Sequence, residues 1–204
     1  MIEPKSALKR LKDGNSQYVN AIRDNTALST SVNTRPASAG QQPFAIILGC
    51  SDSRAPLELA FNQSIGDLFI VRVAGNIATP SQLGSIEYAC EHLGSKLIVV
   101  LGHSHCGAVA ATLDSIKNPT SGGSPNIGAL VSSIKGAAES AINNNPQAQD
   151  ADLLSLAVTA NVKQVVASMA KDSELLKAKI DSGDVMVVGA EYDIETGEVS
   201  FHDS

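Results

Sequence analysis

The chain has 204 residues, 43% of them hydrophobic, with a net charge of −6 and three cysteines. That length supports one sizeable core, so a single domain over residues 1–204 is expected, with an N-terminal helix and arm (1–42) and an α/β core (43–204). The acidic balance leaves no cluster of Lys and Arg for nucleic-acid phosphates, and three cysteines, too few and odd in number for a disulfide framework, suit metal binding or catalysis.

In chain order, residues 5–22 carry Leu8, Leu11, Tyr18, Val19 and Ile22 on one helical stripe. Asp13, Gly14 and Asn15 interrupt the stripe, which predicts a helix with a break, packed outside the core or on a partner. Residues 25–42 are rich in Ser, Thr, Asn, Gly and Pro without apolar period and read as an extended arm or loop. Continuous apolar runs follow at 44–48, 68–73, 97–101 and 185–188, the pattern of strands buried on both faces of a parallel sheet. Between them, residues 81–92 carry Leu83, Ile86, Ala89 and Cys90 at helical spacing, and residues 108–116 do the same after Gly107. The stretch from 126 to 180 predicts three helices before the fourth strand. Residues 187–192, a turn at Thr196 and Gly197, and 199–201 predict a final hairpin with an antiparallel edge strand. The expected fold is therefore α/β: four parallel strands plus an antiparallel fifth, flanked by helices. The runs at 44–48 and 97–101 fall far short of the roughly 20 residues that span a bilayer, so no membrane segment is expected. Residues 1–5 lack a basic segment leading into an apolar one, so a cytoplasmic location is expected, or a periplasmic one if a signal peptide is removed ahead of Met1.

The chemistry-bearing residues gather at strand ends. Cys50 follows the first run directly, and His103 and Cys106 follow the third. In open α/β sheets, ligands bind outside the carboxyl ends of the strands, where connections diverge to opposite faces. Two thiolates and an imidazole suit Zn²⁺, and three protein ligands with a fourth position for water form a catalytic rather than a structural set. Asp52 and Arg54 lie two and four residues beyond Cys50. A guanidinium beside a carboxylate keeps it ionised and fixes its orientation, so Asp52 would accept a hydrogen bond rather than donate a proton. A surface ion pair, or a cap on the helix after Pro56, is the alternative. Cys90 reads as a buried inert thiol, and His92, His105 and His202 as solvated or capping histidines, with a proton relay as the alternative.

The run from Cys50 to Arg54, paired with the run from Gly102 to Gly107, resembles the double signature of β-class carbonic anhydrases. Residues 11–15, 66–76, 84–88 and 189–193 resemble further segments of that family, so the likeness spans most of the chain. The resemblance is to the plant-like, type I subgroup. It implies Cys50, His103 and Cys106 as ligands of one Zn²⁺ per chain, Asp52 and Arg54 as a catalytic dyad, and carbon dioxide and bicarbonate as substrates. It also implies Gln41 and the Gly107 backbone as hydrogen-bonding groups for bicarbonate, with Phe69, Ala74 and Tyr88 lining an apolar pocket. Ala74 and Ala55 stand where valine is more usual. Ile47 stands where the subgroup with a non-catalytic bicarbonate pocket carries tryptophan, so no such site is expected. The implied reaction is hydration of carbon dioxide by zinc-hydroxide attack, in a homodimer or a tetramer of dimers whose arms wrap the partner and whose pocket spans the interface. Two alternatives stand beside it: a hydrolase of carbon disulfide or carbonyl sulfide on the same scaffold, and a non-catalytic zinc-binding or sensor protein.

Overall fold

The apolar runs pair into one five-stranded sheet of order β2-β1-β3-β4-β5. Its strands are β1 (Ala45–Gly49), β2 (Leu68–Arg72), β3 (Leu97–His103), β4 (Met186–Tyr192) and β5 (Val199–Phe201). The first four are mutually parallel and β5 runs antiparallel to β4, as the sequence predicts. This computed structural model describes residues 2–28, 40–118 and 124–202. Most of the predicted arm, 29–39, lies outside the described residues; residues 26–28 and 40–43 carry neither helix nor strand.

Both faces of the sheet are covered, which is why every residue of β1 and β3 is buried. On one face Ala45, Ile47, Leu97, Val99 and Val188 pack against Ala7, Leu11, Leu57 and Phe61. On the other, Ile46, Leu48, Ile98 and Val100 pack against Ile86, Ala89, Val162, Val165 and Met169. The helices are α1 (Pro4–Arg23), α2 (Leu57–Ala60), α3 (Pro80–His92), α4 (Gly107–Lys117), α5 (Pro125–Asn144), α6 (Asp150–Asp172) and α7 (Glu174–Asp181). The last three are the helices predicted between 126 and 180. By length and composition alone α6 could cross a membrane. Its buried face, Leu153, Ala157, Val158, Val162, Val165 and Met169, instead packs into the core beside β3 and β4.

Two expectations for the N-terminus are corrected. The first helix is continuous from Pro4 to Arg23, with no break at residues 13–15, and it packs in the core, where Ala7 and Leu11 are fully buried. Gly14 is a packing glycine: a Cβ there would run into the Phe61 carbonyl. Asn15, 5% exposed, donates to the Ala60 and Gly197 carbonyls, each at 2.8 Å, and accepts from the Val199 N–H at 2.9 Å. The residues that look like a helix breaker are thus the ones that bind α1 to α2 and to the final hairpin.

Candidate metal centre

Strand order dictates where the site lies. From β1 the chain passes to β2 on one side and then to β3 on the other, so the connections leaving β1 and β3 diverge and open a crevice at their carboxyl ends. Cys50 follows β1, His103 is the last residue of β3, and Cys106 is the N-cap of α4. Their donor atoms all lie within 4.8 Å of one another. All three are buried, His103 and Cys106 to 1% exposure. His103 Nδ1 lies 2.9 Å from the Ser104 carbonyl, an acceptor, which assigns the proton to Nδ1 and leaves the Nε2 lone pair free to bind a metal. Ser104 is in turn fixed by the hairpin: its N–H donates to the Tyr192 carbonyl at 2.9 Å, and its Oγ accepts from the Ile194 N–H at 3.0 Å.

The fit to a metal can be tested on these atoms. His103 Nε2 is buried and has no hydrogen-bond partner among the described residues, a costly state for a ring nitrogen with a free lone pair. A cation held between Nε2 and two sulfurs satisfies it, and a Cys₂His donor set suits Zn²⁺. One of the two thiols is already poised to ionise. A hydrogen bond from the Cys106 thiol, helped by the Gly75 and Asp52 backbone, holds Cys50 far below the usual thiol range despite burial. That same bond, with burial, pushes Cys106 up, and because metal ligation needs the thiolate, binding an ion there would release its proton.

Asp52 and Arg54 form a bidentate pair beside these ligands. Arg54 Nη2 donates to Oδ2 at 2.8 Å and Nε to Oδ1 at 3.0 Å, and the Arg54 N–H adds a third bond to Oδ1 at 2.9 Å. These hydrogen bonds hold the Asp52 carboxyl well below the usual carboxylate range. Asp52 Oδ2 is 3.9 Å from His103 Nε2, so the ionised oxygen faces the ligand cluster. The helix-cap alternative does not apply, since α2 has no side-chain cap. Arg54 Nη2 also donates to the His105 carbonyl at 3.2 Å, linking the loop after Cys50 to the loop that carries Cys106.

Sequence reasoning passed over two polar supports. Arg72, at the end of β2, donates to the carbonyls of Cys50 (2.9 Å), Asp52 (2.7 Å) and Ala55 (3.2 Å), clamping the whole ligand loop. The available signal was an arginine closing an apolar run at the carboxyl edge of the sheet. The second support is the turn at Ala74–Asn76, where the Gly75 N–H donates to Cys50 Sγ at 3.3 Å.

The carbonic anhydrase family model matches residues 45–199. Carbonic anhydrase 2 of Mycobacterium tuberculosis is 35% identical over 201 residues, covering 98% of this chain and 93% of its own. The structure of the β-carbonic anhydrase CcaA superposes with a TM-score of 0.76 at 27% identity, covering 98% of this chain and 94% of that one. The chain belongs to the β-carbonic anhydrase family. The β-carbonic anhydrase of Coccomyxa, solved with acetazolamide, is 26% identical with a TM-score of 0.73, covering 93% of this chain and 83% of that one. Tetrameric β-carbonic anhydrases of Sordaria macrospora align at 25% identity with a TM-score of 0.72, covering 82% and 84%.

In this β-carbonic anhydrase the sequence-predicted pocket residues divide into two groups. Ala74 adjoins Gly75 and hence Cys50, and Gly107 opens α4 next to Cys106. Gln41 lies before β1, whereas Cys50 lies after it, and the five residues of β1 alone span roughly 16 Å at ~3.3 Å each. Phe69 pairs with Ile46, near the amino end of the sheet, and its ring centroid is 6.5 Å from that of Tyr88. Tyr88 stacks at 4.9 Å on His92, which lines a cleft with Gln41. Within one chain Gln41, Phe69 and Tyr88 therefore gather with each other and not with the ligands. The remaining thiol and imidazoles do not join the Cys50, His103 and Cys106 cluster. Cys90 is buried in α3, and burial pushes its thiol up to about 12. His105 is exposed, 3.9 Å from Glu195 Oε1. His202, expected to be solvated or capping, is partly buried and sits 2.7 Å from Glu191 Oε1.

Proposed function

We propose that this carbonic anhydrase catalyses the reversible hydration of carbon dioxide, CO₂ + H₂O giving HCO₃⁻ + H⁺, at a zinc ion held by Cys50, His103 and Cys106. The observation that supports this best is the meeting of three buried donor atoms within 4.8 Å with an ionised, doubly anchored carboxylate at their edge. Zinc at such a site supplies Lewis acidity and thereby a nucleophile derived from water near neutral pH. Asp52, unable to donate a proton while paired with Arg54, accepts a hydrogen bond from the nucleophile and so aims its lone pair at the carbon. Arg54 keeps Asp52 charged and in place, and the released proton passes to solvent or buffer.

The apolar pocket for carbon dioxide is the reading for Ala74, Phe69 and Tyr88, with Gln41 and the Gly107 backbone N–H holding the bicarbonate oxygens. Because Gln41, Phe69 and Tyr88 sit at the far end of β1 from their own Cys50, these groups serve the site of a second copy, in a homodimer or a tetramer of dimers. The 49% exposure of Tyr88 supports a covered role for it in such an assembly.

Stopped-flow carbon dioxide hydration on metal-quantified protein is the test, with Cys106→Ala as control. Turnover proportional to one zinc per chain, and absent in the control, is expected. Bound zinc without hydration would overturn the activity, and turnover that survives in metal-free Cys106→Ala would overturn the ligand set.

A further inference from the structure

Asn161 sits in the middle of the buried face of α6, flanked at helical spacing by Ala157, Val158 and Val165, and is 1% exposed. A primary amide on an apolar face costs stability unless it is hydrogen-bonded, and a leucine or valine there would pack without that cost. Its one side-chain hydrogen bond among the described residues is to the backbone: Nδ2 donates to the Gly75 carbonyl at 2.9 Å, across a sequence separation of 86 residues. Its Oδ1 is buried with no partner among the described residues. The residue therefore serves that single contact and is not part of a wider polar network.

The contact falls on the turn behind the metal ligands. Gly75 has φ 73° and ψ 16°, the left-handed region that glycine adopts at least cost. A Cβ there would meet Ile134 Cδ1 at 2.6 Å and Ala108 Cβ at 3.2 Å, so α4 and α5 press on the turn from outside. At its entry the Val73 N–H donates to the Gly49 carbonyl at 3.1 Å, which ties the turn to the residue before Cys50. The Gly75 N–H donates to Cys50 Sγ at 3.3 Å. The turn is thus held by β1 at its start and by α6 at the Gly75 carbonyl, and the amide between them points at a ligand sulfur.

We infer that Asn161 is a positioning residue for the metal centre: by holding the Gly75 carbonyl, it aims the Gly75 N–H at the Cys50 sulfur and so sets the donor strength of that ligand. This rests on the reading that Cys50, His103 and Cys106 hold the metal. An N–H···S hydrogen bond withdraws charge from a thiolate, and outer partners of this kind orient and tune metal ligands at typically 10–100-fold in metal affinity or activity. Asn161 touches neither substrate nor metal and acts only through Gly75.

The test is metal binding by Asn161→Leu, which keeps the bulk but loses the donor, and by Asn161→Ala, which adds no bulk and carries the test if the leucine variant does not fold. Val165→Ala, on the same helix and away from the turn, is the control for general loosening of the core. Cobalt(II)-loaded protein reports the sulfur directly through its thiolate-to-metal charge-transfer band. In the Asn161 variants that band should move to longer wavelength, and transfer of zinc to a chelator should quicken about tenfold or more, while Val165→Ala changes neither. An unshifted band in the Asn161 variants, or an equal shift in Val165→Ala, would overturn the positioning role. If cobalt in the unaltered protein gave no thiolate band at all, the ligand assignment itself would fail, a result distinct from either.

Discussion

Beyond the carboxyl end of β1, Cys50, Asp52, His103 and Cys106 are fixed by contacts within one chain: Arg54 on Asp52, Arg72 on three loop carbonyls, Ser104 on His103 and Gly75 on Cys50. Before its amino end, Gln41 is exposed, Tyr88 is half exposed, and the contacts among Tyr88, Phe69 and His92 are ring to ring. One end of the sheet is a preorganised polar site. The other is an aromatic surface bordered by the cleft that Gln41 and His92 line. On the proposed reading, a site divided in this way would keep its ion chemistry inside one chain and leave substrate enclosure to assembly.

The largest effect should come from the preorganised end. Asp52→Ala is expected to retain one zinc per chain and to lose about 100-fold or more in turnover, since a single positioned acid–base or orienting group contributes on that order. Because Arg54 holds Asp52 ionised far below neutrality, the ratio of unaltered to variant turnover should stay flat between about pH 6 and 9. The sign for stability is that of a depressed carboxylate: its contribution is complete above about pH 4 and is lost as the pH falls through the lower, folded value. Zinc lost along with turnover would make Asp52 a structural ligand instead.

The amino end is tested by division of labour. A Gln41→Ala, Tyr88→Ala double variant should lose roughly tenfold in turnover, the worth of about one hydrogen bond and its packing. Mixed with Asp52→Ala chains and re-associated, it should regain activity, since a hybrid dimer has one site with both halves unaltered. Random pairing gives about a quarter of full activity. Recovery no greater than the sum of the two variants would place each pocket within a single chain.

The same contrast explains what was legible beforehand. The strands were readable because each is a short apolar run buried on both faces, and the candidate Cys-His-Cys cluster because soft side chains follow two such runs directly. Gly14 was misread as a break because its neighbour is the Phe61 carbonyl, 47 positions away in a loop no local pattern reveals. Asn161 and Arg72 were passed over for a like reason: their partners are backbone atoms, which carry no sequence signature. A polar residue inside an apolar helical stripe is nonetheless a usable warning, and Asn161 is such a residue. Gly14→Ala sharpens the point. It should destabilise the fold by ~2 kcal/mol in denaturant unfolding, because overpacking against backbone cannot relax through a rotamer, while turnover per folded molecule stays unchanged. A neutral substitution would show that the Phe61 carbonyl gives way to a Cβ and would remove the packing reason for glycine at this position.

The smallest effect concerns Cys90, the one thiol of the three that belongs to neither end. Burial in α3 raises it to about 12, so it stays protonated in the fold and ionises near the ordinary thiol value of about 8.5 once unfolded. The sign follows from that order: its contribution to stability is complete below about pH 8.5 and is lost as the pH rises toward the folded value. Relative to Cys90→Ala, the unaltered chain should therefore lose stability above about pH 9, and peptide mapping after iodoacetamide treatment at that pH should find Cys90 unmodified in native protein and alkylated after unfolding. Rapid alkylation in the native state would show that α3 opens locally, which would make the aromatic surface carried by Tyr88 on the same helix a mobile element rather than a fixed wall.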